Sequence, residues 1–287
     1  MGIFRIPKRL RRALTMASRV SQLEATVHRQ SREIEYIHTS LEQADMLKSS
    51  LEVPTELVEE FSRWKAANVV PDHPLVSVCV ATYNRGELLT ERCIASILRQ
   101  TYRNLELIVV GDCCTDDTEA RIARIGDPRV RFVNLPQRGP YPSDPMRRWM
   151  VAGSCAMNHA LALANGDFIT HLDDDDEHLP DRLEKLLDFA KQTQSDFVWH
   201  PFWYEAGPDN WQLNNATRFA FTQITTSSVF YRSWFKRITW NLEAHRLLEP
   251  GDWNRFRRIK FIGPAAQRFP EPLLRHYVER QQIARPR

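Results

Sequence analysis

The sequence lacks several features that would define its class at once. No run of eighteen apolar residues occurs, so no transmembrane helix is predicted. The five cysteines are an odd number without metal-site spacing, and Cys113 and Cys114 are adjacent, so we expect reduced thiols in a cytoplasmic protein. No histidines are paired at ligand spacing, which argues against a zinc hydrolase. A net charge of +3 is too small to indicate a nucleic-acid partner.

Residues 16–52 contain neither glycine nor proline, and their apolar residues recur with heptad spacing. The repeat runs through Val20, Leu23 and Val27 and continues to Leu51, with Gln30 and Lys48 on the same seam. This pattern predicts a coiled coil and a homo-oligomer. The alternative is a single helix packed on the main domain.

The first fifteen residues alternate basic and apolar side chains, among them Arg5, Lys8 and Arg9. They lack the apolar core of a secretory signal. Such a segment can lie on an anionic membrane surface, which would place the protein at the inner face of the membrane. A solvated tail is the other interpretation.

Strands and helices alternate after Pro71 and Pro74, which mark a linker behind a short amphipathic helix at 55–67. We therefore divide the chain into a helical extension, 1–70, and a domain, 71–287. The alternation predicts an α/β fold with a mostly parallel, Rossmann-like sheet flanked by helices. In such sheets ligands bind beyond the carboxyl ends of the strands, which here follow Ala81, Val110 and Leu172.

The third of these strand ends is the most informative. Five consecutive acids, Asp173 to Glu177, directly follow the apolar strand that ends at Leu172. Neighbouring carboxylates repel one another, whereas a hard divalent cation such as Mn²⁺ or Mg²⁺ binds carboxylate and diphosphate oxygens together. An exposed acidic turn is the alternative, but the position after the third strand favours a metal site.

Four motifs from Pro74 to about Val198 together resemble glycosyltransferase family 2, the inverting nucleotide-sugar transferases with the GT-A fold. The matching stretches are 76–85, 96–102, 105–118 and 165–176, the last continuing as Leu179-Pro-Asp-Arg-Leu183. The resemblance implies a metal-dependent enzyme that transfers a sugar from a nucleotide-diphosphate donor, expected to be a UDP-sugar. The acceptor would be a glycan, a lipid-linked glycan or a protein. Residues 71–200 would form the donor half and residues 201–287 the acceptor and catalytic half.

The resemblance also implies roles for individual residues. The loop from Ala81 to Arg85 would cradle the nucleotide, with Tyr83 beside the base. Asp112 would bind the base, although Gly111 stands where relatives often have a second acid. The residues expected to bind the nucleotide sugar are Thr82, Tyr83, Arg85, Asp112, Asp173, Asp174 and Arg148. Arg148, or alternatively Arg147, would supply the positive charge near the diphosphate, because Met157 replaces an arginine that is usual in the family. The residues expected to bind the metal are Asp175, Asp173 and His276, with the register among the four aspartates left open.

An inverting transferase needs a general base for the acceptor hydroxyl. Asp252, at the start of a predicted helix, matches the position of that base in the family, and Glu249 is the reserve candidate. Asp252 would alternatively only cap its helix. Two other readings stay open: a non-catalytic nucleotide-sugar binder on the GT-A fold, and a coiled-coil scaffold. A nucleotidyltransferase is disfavoured because the chain has no early Gly-rich phosphate loop with a basic residue.

Overall fold

The computed structural model describes residues 8–51, 55–208 and 210–277. The chain forms two compact units that divide after Glu52. Helix α1, Lys8–Leu51, makes up the described part of the first unit. No described helix is both long enough and apolar enough to cross a membrane. The membrane-surface prediction for the first fifteen residues falls partly on residues 1–7, which lie outside the described residues.

The second unit alternates strands and helices, as predicted. Its strands are β1 Val76–Thr82, β2 Leu105–Gly111, β3 Val130–Asn134, β4 Phe168–His171, β5 Glu177–His178, β6 Phe197–Trp199, β7 Phe202–Gly207, β8 Asn210–Asn214, β9 Val229–Arg232, β10 Ala266–Arg268 and β11 Leu274–His276. Its helices are α2 Thr55–Ala67, α3 (Gly86–Leu88, a π-helical turn Leu89–Ile94, and Ala95–Leu98), α4 Thr118–Ile125, α5 Pro145–Val151, α6 Ser154–Leu163, α7 Arg182–Thr193 and α8 Gly251–Ile262. Short 3₁₀ turns lie at Thr226–Ser228, Ser233–Arg237 and Ala244–Leu247.

A seven-stranded sheet with the order β10-β6-β9-β4-β1-β2-β3 forms the centre of this unit. Strand β1 pairs in parallel with β2 on one side and with β4 on the other. Strand β9 is antiparallel to both β4 and β6. The predicted α/β fold with a mostly parallel sheet is confirmed. The carboxyl ends of β1, β2 and β4 therefore lie side by side at one edge of the sheet.

The central strands read as continuous apolar runs because helices cover both faces of the sheet. In β1, Val78, Cys79 and Val80 are all fully buried, although successive side chains point to opposite faces. Cys79 packs in one apolar cluster and Val78 and Val80 in another, so the sheet separates two cores. The strand ends are thus fixed by extensive burial.

Helix α2 packs on the α/β domain, whereas the sequence division at residue 70 grouped it with the extension. Phe61 is 4% exposed, and its ring centroid lies 4.8 Å from that of Phe235 and 5.1 Å from that of Trp234. The compact units divide after Glu52 because this aromatic contact joins α2 to the second unit.

Two further parts of the domain were not predicted from the sequence. The proline-rich segment before Asn158 contains helix α5. Asp144 caps this helix by accepting a hydrogen bond of 2.8 Å from the Arg147 backbone N–H, and Pro145 occupies the first helical turn. A second, four-stranded sheet, β5-β11-β7-β8, was not predicted. Its strands are short, and in β5 and β11 too few residues alternate to give a recognisable period.

Candidate functional site

The loop after β1 is bound to the acidic run after β4. Thr82 Oγ1 donates a hydrogen bond of 2.7 Å to Asp174 Oδ2. Arg85 Nη1 lies 2.9 Å from Asp174 Oδ1 and 3.0 Å from Asp175 Oδ2. Arg92, in α3, donates to the carbonyl oxygen of Asp175 at 2.7 Å. The parallel pairing of β1 with β4 brings the loop after β1 next to the acidic run. Arg85 offsets part of the negative charge of that run.

The side chains of Asp173, Asp176 and His276 form a group that could hold a metal ion. One ligand atom from each lies within 4.8 Å of the others. His276 enters this group because β11 is antiparallel to β5, which follows the acidic run. The predicted ligands Asp173 and His276 are therefore together, whereas Asp175 is bound to Arg85 and Asp176 stands in the group instead.

Asp176 is fully buried and accepts several hydrogen bonds. Its carboxylate lies 3.0 Å from His276 Nδ1, and it accepts bonds of 3.1 Å from Ser227 Oγ and from the Tyr277 backbone N–H. These bonds hold both the acid and the imidazole ring in place. Sequence reasoning gave Asp176 no specific role, and only its position in the acidic run could have drawn attention to it.

Concentrated negative charge perturbs the acids and the histidine of this site. Burial, followed by the charges of Asp176 and Asp174, raises the pKa of Asp175 to about 6, although Arg85 opposes the shift. Burial and the same kind of repulsion raise the pKa of Asp173. Burial alone would lower the pKa of His276, but the charge of Asp176 and its hydrogen bond raise it to about 9. The site therefore has an excess of negative charge that a cation would offset.

Asp252 lies in the first turn of α8, behind Pro250 and Gly251. Its Oδ1 accepts a hydrogen bond of 2.6 Å from the Trp253 backbone N–H. Burial raises the pKa of Asp252, while backbone hydrogen bonds from Trp253 and Thr226 oppose the shift. The charge of Asp252 also contributes to the raised pKa of Asp173, so the two carboxyl groups lie in the same region of the site.

Glu249, the reserve candidate for the base, is bound within the protein. Its carboxylate accepts hydrogen bonds of 3.0 and 2.8 Å from Arg257 and one of 2.8 Å from Asn254 Nδ2. These bonds engage both oxygens of the Glu249 carboxylate with Arg257 and Asn254. This geometry favours Asp252 over Glu249.

Asp112 and Tyr83 lie next to each other at the ends of β2 and β1. The Asp112 backbone N–H donates to the carbonyl of Thr82 at 2.8 Å, which continues the pairing of the two strands. Arg138 lies against both residues: its guanidinium carbon is 3.6 Å from the centre of the Tyr83 ring, and its Nε is 3.7 Å from Asp112 Oδ2. The structure thus adds Arg138 to the predicted pair, and no sequence signal distinguished it.

The absence of a side chain at position 111, directly before Asp112, has a steric reason. A Cβ atom at Gly111 would lie 2.6 Å from Asn134 Oδ1. That side chain is fixed, because its Oδ1 accepts from the Cys114 backbone N–H at 2.8 Å and its Nδ2 donates to the Cys114 carbonyl at 2.9 Å. Asn134 therefore occupies the space in which a side chain at position 111 would begin.

Arg148 is placed differently from the other predicted donor-site residues. Its guanidinium donates to the carbonyl of Pro142 at 3.0 Å and to that of Ser143 at 2.6 Å, and the residue is exposed on α5. These bonds hold the loop that leads into the helix. Arg147 is exposed on the same helix.

Comparisons with known proteins find similar glycosyltransferases. WcaA of Escherichia coli K12, whose name assigns it to colanic acid biosynthesis, is 36% identical over 136 residues, which cover 46% of this chain and 42% of that protein. The GalNAc(5)-diNAcBac-PP-undecaprenol beta-1,3-glucosyltransferase of Campylobacter jejuni is 35% identical over 122 residues, which cover 42% of this chain and 35% of that protein. The match therefore spans less than half the length of these relatives.

Among solved structures, residues 1–349 of TarS from S. aureus, in complex with UDP-GlcNAc, superpose with a TM-score of 0.56 at 20% identity. The match covers 71% of this chain and 58% of that chain, and it supports the fold alone. A family model described as Glycosyl transferase family 2 matches residues 77–143 and 147–256, which is more than half of the 287 residues and includes the strand ends, the acidic run and Asp252. The chain belongs to glycosyl transferase family 2.

Proposed function

We propose that this protein is a metal-dependent inverting glycosyltransferase that moves a sugar from a nucleotide-diphosphate donor to an acceptor hydroxyl. The observation that carries the proposal is the Asp173–Asp176–His276 group, which follows β4 at the sheet edge that also carries Tyr83 and Asp112 and lies near the half-buried Asp252. Each of the three parts suits one requirement of the reaction: a cation, a nucleotide and a base.

The metal group fits a divalent cation. Bonds of about 2.0–2.2 Å to one ion would separate two ligand atoms by at most about 4.4 Å. The ligand atoms lie within 4.8 Å of one another, so binding would need a shift of at most a few tenths of an ångström. Because Asp176 binds Nδ1 of His276, the other ring nitrogen is left for a cation, an arrangement that also orients metal-bound histidines elsewhere. Asp173 and His276 are the proposed ligands, and Mn²⁺ and Mg²⁺ the proposed ions. A bound cation would neutralise charge on the leaving diphosphate.

Tyr83, Asp112 and Arg138 are proposed to bind the nucleobase. The Tyr83 ring is 37% exposed and offers an aromatic face for stacking, while the Asp112 carboxylate can accept a hydrogen bond from a base N–H. Arg138 currently covers that ring face and could donate to a carbonyl group of the base. One acceptor beside one donor suits uracil, so a UDP-sugar is the proposed donor. Thr82, Arg85 and Asp174 connect this pocket to the acidic run, and Arg85 could also meet the diphosphate.

Asp252 is proposed as the general base that takes the proton of the acceptor hydroxyl. Its raised pKa makes it a stronger base than an exposed aspartate, which is what proton abstraction near neutral pH requires. It also lies near Asp173, in the first turn of α8, so the acceptor would approach the sugar from this side.

An exposed apolar patch beside this helix supports a lipid-linked acceptor. Met146 and Trp149 on α5 are 63% and 57% exposed, and Leu248, behind the 3₁₀ turn that packs on α5, is 62% exposed. Apolar side chains beside basic ones such as Arg147 favour an anionic membrane surface. The patch adjoins the proposed base, because Gly251, the neighbour of Asp252, packs against Met150, the neighbour of Trp149. A Cβ at Gly251 would lie 3.1 Å from the carbonyl oxygen of Met150. We therefore propose that the protein acts at the cytoplasmic face of a membrane.

A panel of nucleotide sugars tests the catalytic proposal. Binding and transfer should be measured with Mn²⁺, Mg²⁺ or EDTA for the unmodified protein, for Asp252→Asn and for Asp188→Asn, an exposed acid on α7. We expect one donor to bind only with metal, and Asp252→Asn to keep donor binding while transfer falls about 10²–10⁴-fold. Asp188→Asn should match the unmodified protein. Full transfer by Asp252→Asn would remove Asp252 as the base, and donor binding without transfer to any acceptor would favour the non-catalytic reading.

The acceptor proposal is tested separately with vesicles. The unmodified protein should transfer sugar to a polyprenyl-diphosphate-linked glycan in anionic vesicles faster than to the same glycan in solution. Replacing Met146 and Trp149 by serine should remove this advantage and leave hydrolysis of the donor unchanged. Equal rates with both acceptors would refute the proposal of a membrane-bound acceptor. The catalytic proposal would not be affected by that result.

A further inference from the structure

Helix α1 carries a row of apolar side chains that are exposed in the single chain. Val20, Leu23, Val27, Ile34, Ile37 and Leu41 are each between 49% and 67% exposed. They belong to a compact unit separate from the α/β domain. Scattered exposed apolar residues need no explanation, but six of them on one helix form a continuous stripe that is typical of an interaction surface.

The spacing of these residues identifies the kind of surface. With Gln30 between Val27 and Ile34, the six residues follow one another at intervals of three and four, so they fill positions a and d of a heptad. A strict repeat of seven keeps such a stripe on one side of a left-handed supercoil, whereas a helix packed on a globular domain has a wider apolar face. The stripe therefore fits another helix of the same kind better than it fits a flat surface.

Most of the side chains at these positions favour two strands. Val20, Val27 and Ile34 are β-branched residues at position a, and Leu23 occupies a d position. Ile37 at position d and Leu41 at position a depart from this pattern. Gln30 is a polar residue in the seam, and such residues restrict register and number of strands. Because the partner must present the same seven-residue repeat, a second copy of this chain provides it without any further assumption.

Charges beside the seam favour a parallel arrangement. Arg19 precedes a position a, and Glu24 follows a position d, so they occupy positions g and e of successive heptads. In a parallel, in-register pair, Arg19 of one copy faces Glu24 of the second copy, and the two-fold axis repeats this contact. Both residues are exposed in the single chain and are available for it.

We propose that α1 pairs with α1 of a second copy of this chain in a parallel, in-register, two-stranded coiled coil. Each helix is followed in its chain by an α/β domain, so one particle carries two glycosyltransferase domains. The pairing does not depend on the chemistry of the site, because it uses only residues of the first unit.

The mass of the protein in solution tests the pairing. Light scattering or sedimentation equilibrium at micromolar concentration should give twice the monomer mass. Replacing both Ile34 and Ile37 by lysine should give a monomer, because four like charges would meet in the seam of the dimer. The control is Tyr36→Lys, which adds one positive charge between these two positions at a side chain that is 75% exposed and off the seam. Donor binding should be the same in all variants, which shows that the α/β domain stays folded.

Disulfide trapping tests the orientation. Leu23→Cys should form a covalent dimer under mild oxidation, because the two copies of position 23 meet only in a parallel, in-register pair. Ala25→Cys, on the outer face, and the unmodified protein with its five cysteines are the controls and should stay uncrosslinked. A monomeric unmodified protein, a mass of three or more chains, or equal crosslinking of Ala25→Cys would overturn the proposal.

Discussion

Replacing Asp175 by asparagine should stabilise the metal-free protein, although it removes an acid that Arg85 holds. The pKa of Asp175 is raised to about 6 by burial and by Asp176 and Asp174, despite the opposing charge of Arg85. In the unfolded chain an aspartate titrates near pH ~3.9. The folded protein therefore binds this proton more tightly than the unfolded chain does.

The sign of the pH dependence follows from this difference. Where the folded state binds more protons, the free energy of unfolding falls as pH rises, here between about pH 4 and pH 6, and it stays low above that range. Two pKa units correspond to about 3 kcal/mol as an upper value. Because Asp175 titrates together with its neighbours, we expect Asp175→Asn to gain about 1–2 kcal/mol at pH 8, or about 2–8 °C in Tm.

Denaturant unfolding of EDTA-treated protein measures this gain. Asp175→Asn and the unmodified protein should be compared at pH 8 and at pH 4, where the difference should vanish because the native carboxyl group is then protonated. Asp188→Asn, at an exposed acid on α7, should change stability by less than about 0.5 kcal/mol at either pH. Adding Mn²⁺ to about 100 times its Kd should stabilise the unmodified protein by about 2.7 kcal/mol and the variant by less at the same concentration. If Asp175→Asn lowered stability equally at both pH values, the ion pair with Arg85 would outweigh the repulsion, and the reasoning would be wrong.

Three further predictions follow from packing and stacking. Phe61→Ala should destabilise the α/β domain by about 3–5 kcal/mol in denaturant unfolding, because its ring is buried in the core, whereas Tyr36→Ala on α1 should not. Tyr83→Ala should weaken UDP binding about 10-fold by calorimetry while the Tm stays unchanged, because stacking is worth about 1–1.5 kcal/mol; an unaltered Kd would show that the base lies elsewhere. Gly166→Ala should lower stability by about 1–3 kcal/mol, because the new Cβ would lie 2.6 Å from the Ser77 backbone nitrogen; a stable variant would mean that the backbone shifts easily here.

Asp176 illustrates how the structure changed the interpretation of the acidic run. Sequence reasoning followed the family motif and took Asp173 and Asp175 as metal ligands with His276. In the structure Asp176 is the acid that contacts His276, while Asp175 faces Arg85. Four successive aspartates look alike in sequence, because the direction of each side chain depends on how the turn after β4 is folded.

The sequence by itself determined the class of fold and the location of the site. Apolar runs such as Val76–Thr82 predict buried parallel strands, and polar residues that follow them lie at one edge of the sheet for any parallel arrangement. This geometric rule placed Asp112 and the acidic run near each other without knowledge of the packing. The heptad repeat of α1 was likewise readable, because a helix places residues three and four apart on one face.

Only the tertiary structure decided which side chains meet. His276 reaches the acidic run through β11, a strand of three residues whose pairing with β5 leaves no periodic signal. Arg138 reaches Tyr83 across a loop, and Phe61 joins α2 to the core of the α/β domain. Such contacts depend on packing between segments far apart in the chain, whereas periodicity reports only the local face of one helix or strand.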